Sequence, residues 1–213
     1  YLKYNKKIGL LILKKNIIAQ DYNNNTITAE NAEFNENDEI LKTIGPTNIT
    51  TSENYLVRGN NIIIDNKKKI INSRKLTSIE DPEGNLIELQ NFEFQVENNI
   101  FKSIGSVKIK DKQKNNYEFS QIYIDTKKKE ILGTDIKAFL NEERLKVDSR
   151  NKPRIFANAI ELSNKRSSFN KSIFTICDYR EKDKCPPWTI QASKMLHDNI
   201  KKTIYYDNAL IKV

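Results

Sequence analysis

Histidine and cysteine, two residue types that often perform acid–base, nucleophilic or metal chemistry, are scarce in this sequence of 213 residues. His197 is the only histidine, and Asp198 follows it, a pair that can form part of a catalytic triad. The sequence lacks the Gly-x-Ser-x-Gly motif of a nucleophile, a phosphate-binding loop, and a pair of carboxylates in a catalytic arrangement. We therefore interpret His197 as a structural or solvent-exposed side chain and expect no enzymatic activity.

The two cysteines, Cys177 and Cys185, lie close together near the C-terminus and flank a hydrophilic segment. With a single histidine they make a poor zinc site, because structural zinc needs four ligands at characteristic spacings. We therefore predict no metal and no cofactor. In an oxidising compartment the thiols could form a local disulfide, worth about 2–3 kcal/mol at best because the closed loop is short. The alternative is two reduced thiols.

The elements that must position any site follow a thirty-residue repeat. Apolar residues recur at this step in four columns. The columns are Ala32, Ile62, Phe92 and Ile122; Phe34, Ile64, Phe94 and Ile124; Leu41, Ile71, Phe101 and Ile131; and Ile49, Ile79, Ile109 and Phe139. Self-similarity at this period is typical of consecutive units that cannot bury an apolar face alone.

Within each repeat, short stretches of alternating apolar and polar residues predict half-buried strands. Polar segments of five residues separate these strands and predict hairpin loops. The segments are 35–39, 65–69, 95–99 and 125–129. Asp81-Pro82-Glu83-Gly84-Asn85 predicts a turn between repeats, and a change of parity between Ala29 and Ala32 predicts a β-bulge. Because no helical periodicity exceeds about two turns, we expect an all-β fold.

The repeat continues with longer steps towards the C-terminus. Ile122 corresponds to Ile160, thirty-eight residues on, and Ile160 to Met195, thirty-five residues on. Two hydrophilic segments, 141–153 and 178–187, supply the extra length, and we interpret them as longer loops. The whole chain, residues 1–213, is therefore predicted to form a single domain of consecutive two-strand units.

The formal net charge of +8 suits an acidic partner such as lipid phosphate, nucleic acid or an anionic membrane, although solubility alone also explains it. The lysine runs 67–69 and 127–129 occupy equivalent loops. They are either solvated turn residues or ammonium groups that attract phosphates. No apolar run reaches the roughly 20 residues that span a bilayer. Since neither an initiator Met nor a signal peptide is present, we expect the chain to start inside a longer precursor.

The apolar columns have two interpretations. They form a sealed core, or they line an open trough that meets an apolar ligand. If acyl chains lie in such a trough, burying about ten methylenes would contribute ~8 kcal/mol before entropic costs. The residues predicted to line it are Ile62, Ile64, Ile71, Phe92, Phe94, Phe101, Ile109, Ile122, Ile124, Ile131 and Phe139.

Four segments near the C-terminus carry a resemblance to a known family. They are Thr175-Ile176-Cys177, Cys185-Pro186-Pro187-Trp188-Thr189-Ile190-Gln191-Ala192, His197-Asp198, and Lys202-Thr203-Ile204-Tyr205-Tyr206-Asp207-Asn208-Ala209. They resemble the N-terminal periplasmic domain of the lipopolysaccharide-assembly proteins of the LptD (OstA, Imp) family. The repeats before them look like the OstA-like domain shared with LptA and LptC. The resemblance covers nearly the whole chain, and the C-terminal string is its more specific part.

The resemblance implies a V-shaped, twisted β-jelly roll of consecutive antiparallel strands in the periplasm, as part of an outer-membrane protein. Its interior would shield the acyl chains of lipopolysaccharide. It would receive them from an LptA-type bridge protein and pass them to its own C-terminal β-barrel, which an LptE-type lipoprotein plugs. In some family members the cysteine that matches Cys177 joins a cysteine of the barrel. That pairing competes here with a local Cys177–Cys185 disulfide.

We therefore predict a non-enzymatic lipid conduit for outer-membrane lipopolysaccharide assembly. A free LptA-like bridge protein, without the barrel, is the first alternative. A solenoid enzyme acting on acidic polysaccharide would need clustered carboxylates or metal ligands on one face. A nucleic-acid binder would need exposed aromatic residues among the lysine runs. The sequence shows no such cluster of carboxylates or metal ligands. Its aromatic residues lie in the apolar columns and not among the lysine runs.

Overall fold

The computed structural model describes residues 1–20, 24–141, 143, 151–163, 165–176, 188–198, 200–201 and 203–213. Most of these residues belong to antiparallel β-strands, which confirms the all-β prediction. The chain divides into two compact units, Tyr1–Gly105 and Ser106–Val213. The expectation that they form a single domain stays a prediction.

The first unit contains ten complete strands, and an eleventh begins in it. They are β1 (Leu2–Asn5), β2 (Leu10–Gln20), β3 (Thr26–Asn35), β4 (Ile40–Thr50), β5 (Leu56–Asn60), β6 (Ile63–Asp65), β7 (Ile70–Ser73), β8 (Thr77–Glu80), β9 (Leu86–Leu89), β10 (Phe92–Gln95) and β11 (Ile100–Lys110). Neighbouring strands in this unit pair antiparallel, for example β1 with β2, β2 with β3 and β3 with β4. The unit is therefore a succession of hairpins, as the repeat predicts.

The second unit contains the end of β11 and seven more strands among its described residues. They are β12 (Asn116–Asp125), β13 (Glu130–Phe139), β14 (Arg154–Leu162), β15 (Arg166–Thr175), β16 (Thr189–Asp198), β17 (Thr203–Asp207) and β18 (Leu210–Lys212). In the described part of both units, no helix has the length and apolarity needed to cross a membrane.

The strand register of the first unit confirms that the apolar columns align across neighbouring strands. One line of directly opposed residues, which we call the first row, runs across eight strands. It consists of Tyr4, Leu11, Phe34, Leu41, Ile64, Ile71, Phe94 and Phe101. A second row, nearer the opposite ends of the hairpins, consists of Ala19, Ile27, Ile49, Val57, Ile79 and Ile87.

Bends separate the two rows. The pairing of β3 with β4 shifts register between Ala29 and Asn31, which confirms the predicted bulge. In β4, Gly45 has a φ of 85°, a left-handed backbone that a glycine adopts without steric cost. Asn61 and Asn91, with φ values of 53° and 54°, stand where β5 gives way to β6 and β9 to β10. Each hairpin therefore consists of two halves joined at a bend.

The hairpin turns follow a common pattern. Asp65 is still paired, opposite Ile70, so the turn itself has four residues rather than the five predicted. The Asp65 carboxylate accepts the backbone N–H of Lys68 at 2.8 Å, and the Asn35 amide oxygen likewise accepts that of Asn37 at 2.9 Å. The last turn residue is left-handed in each case. These residues are Glu39, Lys69, Asn99 and Lys129, with φ between 56° and 57°.

Successive turns of the first unit are hydrogen-bonded to one another through their backbones. The N–H groups of Glu36, Asn66 and Val96 donate to the carbonyl oxygens of Gly9, Glu39 and Lys69 at 2.8, 3.1 and 2.9 Å. The charge of the stacked turns alternates. Lysines occupy 6–7, acidic residues 36 and 38–39, lysines 67–69, and Glu97 the fourth turn. The lysine run 67–69 is thus a solvent-exposed turn between two acidic ones.

The Asp65 turn predicts a pH dependence of stability. The backbone hydrogen bond from Lys68, helped by the Lys68 ammonium group, lowers the pKa of Asp65. A lowered folded-state pKa stabilises the protein above the unfolded value of about 3.9, and this contribution is lost as pH falls through the folded-state pKa. We expect Asp65→Asn to be less stable at neutral pH and to approach the unsubstituted protein below about pH 4. Urea unfolding across this pH range measures the difference, and a pH-independent difference would contradict the prediction.

The second unit confirms the lengthened repeat. Ile122, Gly133, Ile160, Phe169 and Met195 lie directly opposite one another on successive strands. The predicted correspondence of Ile122 with Ile160 and of Ile160 with Met195 is therefore correct. The two segments interpreted as longer loops fall mostly outside the described residues.

The prediction that Phe139 shares a face with the other column residues is wrong. Asp135 has a φ of 52° at the bend of β13, and the step across this bend, from the buried Gly133 to the buried Ile136, is three residues. In β4 the equivalent step, from Thr43 to Thr47, is four residues. The one-residue difference exchanges the two faces of the strand. Ala138, 1% exposed, therefore continues the buried side, and Phe139, 39% exposed, faces away from it.

Candidate apolar binding surface

One face of the first unit, which we call the inner face, carries both rows and the buried residues at the bends. Ile62 is fully buried, with an exposed fraction of 0%. Ile64, two residues further along the same face, is half-buried. The other half of the hairpins shows the same gradient from buried Leu89 to half-buried Ile87. The inner face therefore has a dry base at the bends and partly accessible apolar flanks.

The predicted lining residues of the first unit divide between base and flank. Ile62, Phe92 and Phe101 are buried, and the rings of Phe92 and Phe101 stack with centroids 5.7 Å apart. Ile64, Ile71 and Phe94 are half-buried. Ile71 on β7 lies directly opposite Ile64 on β6 and, on its other side, directly opposite Phe94 on β10. They are the predicted residues that an apolar ligand can reach.

Hydroxyl side chains complete the base, and sequence reasoning missed them. Thr43, Ser73 and Ser103 are buried and stand thirty residues apart. Thr43 Oγ1 accepts the backbone N–H of Ile62 at 2.8 Å, and Ser73 Oγ donates to the carbonyl oxygen of Asn60 at 2.9 Å. These bonds satisfy backbone groups at the bends, where the strand ladder is interrupted. Their thirty-residue step was the signal that could have found them.

The opposite face of the first unit, which we call the outer face, combines charged pairs with half-buried apolar residues such as Ile40. Glu93 and Lys102, which directly oppose each other on β10 and β11, form an ion pair at 2.9 Å. The hydrogen bond from Lys102 lowers the pKa of Glu93. Glu33 is likewise opposite Lys42. Because charged pairs occur on the outer face and neither apolar row contains a charged residue, the inner face is the candidate site.

The second unit carries its own apolar residues. Ile124 lies opposite Ile131, and both are half-buried, as is Ile109. Ile122 is buried, with an exposed fraction of 2%. From Ile131 the line of opposed residues continues to Leu162, Ser167 and His197, so it becomes polar towards β16.

Tyr117 also lies on the apolar side of the second unit, although it belongs to none of the four predicted columns. It lies opposite Ala138, and its hydroxyl donates to the Asp111 carboxylate at 3.2 Å. Burial, reinforced by the negative charge of Asp111, raises the pKa of Tyr117 to about 12. The phenol therefore stays neutral in any ordinary buffer and presents its ring, not a charge, to the surroundings.

The His197–Asp198 pair is not arranged as a catalytic dyad. Asp198 accepts the backbone N–H groups of Ile200 and Lys201 at 3.0 and 2.9 Å, and the bond from Lys201 is the main cause of its lowered pKa. The carboxylate thus closes a turn. His197 lies between Ser167 and Ile204 on the neighbouring strands. Among the described residues, no three His, Cys, Asp or Glu side chains are grouped so as to hold a metal ion.

Neither profiles of known families nor the sequences of curated proteins match this chain. Cys177 and Cys185, for which a disulfide was predicted, lie outside the described residues. The functional interpretation therefore depends on the inner face and on the resemblance of the C-terminal segments.

Proposed function

We propose that this chain is a non-enzymatic lipid conduit that holds the acyl chains of lipopolysaccharide against its apolar inner face. The observation that carries the proposal is the line of half-buried residues represented by Ile64, Ile71 and Phe94 beside a dry base. A closed core would exclude solvent from these side chains. Partial exposure of a continuous apolar line in a protein with charged residues on the other face supports the proposal of a ligand surface there.

The energetics favour an acyl chain as the occupant. Burial of a methylene contributes about 0.8 kcal/mol, so ten methylenes give ~8 kcal/mol before the costs of ordering the chain are subtracted. The rows contain aliphatic and aromatic side chains and no charges. Such a surface discriminates little between acyl chains, because apolar burial is non-directional. It therefore suits a protein that moves a lipid onward rather than one that selects it.

The resemblance supports a specific setting for this activity. In the proposal, the chain is the periplasmic OstA-like domain of an LptD-type outer-membrane protein, with the V-shaped β-jelly roll of that family. An LptA-type bridge protein adds a strand beside β1, whose partner in the first unit is β2. The protein's own β-barrel, with an LptE-type lipoprotein, receives the lipid.

The alternative is a free bridge protein of the LptA type, which shares the repeat and the apolar inner face but has no barrel. The C-terminal Trp188, His197-Asp198 and Asn208-Ala209 favour the LptD-type assignment. The coding sequence downstream of residue 213 distinguishes the two, since a few hundred residues of alternating strands would encode a barrel.

Photo-crosslinking tests the binding surface. A photoreactive residue at position 64 faces the first row, and one at position 63 faces the opposite side of the same strand. We expect lipopolysaccharide to crosslink at position 64 and not at position 63. Introducing Phe94→Asp should reduce crosslinking at position 64 about tenfold, because a carboxylate two strands away must be desolvated when an acyl chain covers it.

The matched control is Glu93→Gln, which alters the neighbouring residue on the outer face. It should leave the crosslink at position 64 unchanged. Circular dichroism of both variants checks that the β-sheet signal is retained. Equal crosslinking at positions 63 and 64, or a full-strength crosslink in a folded Phe94→Asp protein, would refute the proposed surface.

A further inference from the structure

The outer side of the bends in the first unit carries exposed aliphatic residues. Ile44, Leu76 and Ile104 have exposed fractions of 45%, 61% and 62%. Each of them is adjacent in sequence to a buried residue of the bend, respectively Thr43, Thr77 and Ser103. Single exposed aliphatic residues are common, but these three occupy the bends of three successive hairpins.

These residues stand at the bends of alternate strands, and we call this line of residues the ridge. Ile44 lies opposite Asn31, and the adjacent Gly45 accepts a hydrogen bond from Asn61 at 3.2 Å. At the bend of β11, the backbone N–H of Ile104 donates to the carbonyl oxygen of Asn91 at 3.4 Å. Since neighbouring strands are about 4.8 Å apart, the aliphatic residues of alternate strands follow one another at roughly 10 Å.

Basic residues flank the aliphatic ones. Lys14 lies opposite Asn31 at one end of the ridge, and Arg74 and Lys75 immediately precede Leu76 in its middle. All three cations are exposed. Within the described part of the chain, none of them forms a salt bridge. Their charge is therefore available to an external anion.

We propose that the ridge formed by Ile44, Leu76 and Ile104 with Lys14, Arg74 and Lys75 binds the surface of an anionic phospholipid bilayer. The combination of protruding aliphatic side chains and adjacent cations is the one used by proteins that lie in the membrane interface. The aliphatic side chains enter the boundary between headgroups and acyl chains, and the cations bind lipid phosphates. A nucleic acid would require exposed aromatic residues for stacking, and a protein hot spot would require aromatic anchors in a pocket. The ridge has neither.

Vesicle flotation with the whole chain tests this inference. The probes are vesicles of phosphatidylcholine alone and vesicles in which part of it is replaced by phosphatidylglycerol. We expect binding to the anionic vesicles only, weakened by salt. Arg74→Gln/Lys75→Gln and Ile44→Ser/Ile104→Ser should each weaken it about tenfold, since a basic residue near an anionic surface and a buried aliphatic group each contribute substantially.

Two control proteins carry matched changes in the second unit. Lys127→Gln/Lys129→Gln removes the same net charge from a turn, and Leu132→Ser/Ile173→Ser removes two exposed aliphatic residues. Both should bind as the unsubstituted chain does. The inference is overturned if the chain ignores both kinds of vesicle, or if controls and ridge variants weaken binding equally. Because the ridge lies on the opposite side from the inner face, these outcomes leave the lipopolysaccharide proposal unaffected.

Discussion

Replacing Gly133 with alanine is expected to lower the free energy of unfolding by about 3 kcal/mol, the upper end of the usual cost of overpacking a core. A Cβ at this position would stand 2.5 Å from Cδ1 and 2.7 Å from Cε1 of the Phe119 ring, and 3.2 Å from Cγ2 of Ile160. Phe119 is 4% exposed and Ile160 3%, so both side chains are enclosed by protein and neither can turn outward without losing buried contacts. Gly133 is thus required for close packing and not for an unusual backbone.

A double-substitution cycle separates this cause from a general intolerance of β13. Phe119→Leu removes the obstructing ring edge, so Gly133→Ala should cost less in that background than in the unsubstituted protein. Leu132→Ala, at the exposed neighbouring position, should change stability by less than about 1 kcal/mol. Urea denaturation gives each value. Equal costs of Gly133→Ala with and without the Phe119 ring would show that the close approach is not the cause.

The second large effect is expected at Ile62. Ile62→Ala should cost about 3–4 kcal/mol, because the side chain is completely buried at the base of the inner face and its loss leaves a cavity. Ile63→Ala, one residue on, should cost less than about 1.5 kcal/mol. Ile63 is half-buried on the outer face, opposite Lys42 and Asn72.

The comparison of these two isoleucines is a direct test of strand parity. The residue type, the strand region and the deleted atoms are the same, and only the face differs. Thermal or urea unfolding of the two variants under identical conditions measures the contrast. A larger loss from Ile63→Ala than from Ile62→Ala would mean that the inner and outer faces have been exchanged.

Much of the fold could be predicted because the apolar residues keep a strict thirty-residue step. Hairpin turns of constant length hold Ile64, Ile71 and Phe94 in register, and period-two alternation assigns each to a face. The same logic extended to Ile160 and Met195 after the steps lengthened. Columns of large apolar residues are the strongest signal that a single β sequence offers.

What the columns could not reveal has two physical causes. Small polar residues such as Thr43 and Ser73 are buried because they satisfy backbone groups at the bends, a role that hydrophobicity does not signal. Asp135, in the middle of β13, has a left-handed backbone, and the residues beyond it exchange faces. An aspartate in a sequence does not by itself predict this backbone conformation. Phe139 was therefore assigned to the wrong face. Whether a column residue lies in the buried base or on the accessible flank depends on its distance from a bend. Apart from the one predicted bulge, the bends could not be predicted from the sequence, so this division could not be predicted either.

The alternating charge of the stacked turns has a consequence for how such a chain can change in length. The structural unit is one hairpin, but the charge pattern takes two hairpins to repeat. Loss of residues 40–69 would bring the acidic turn 36–39 beside Glu97, and like charges in adjacent turns repel. Loss or duplication of sixty residues would restore the order of opposite charges. Growth of the array by hairpin pairs is thus electrostatically neutral, whereas growth by single hairpins is opposed.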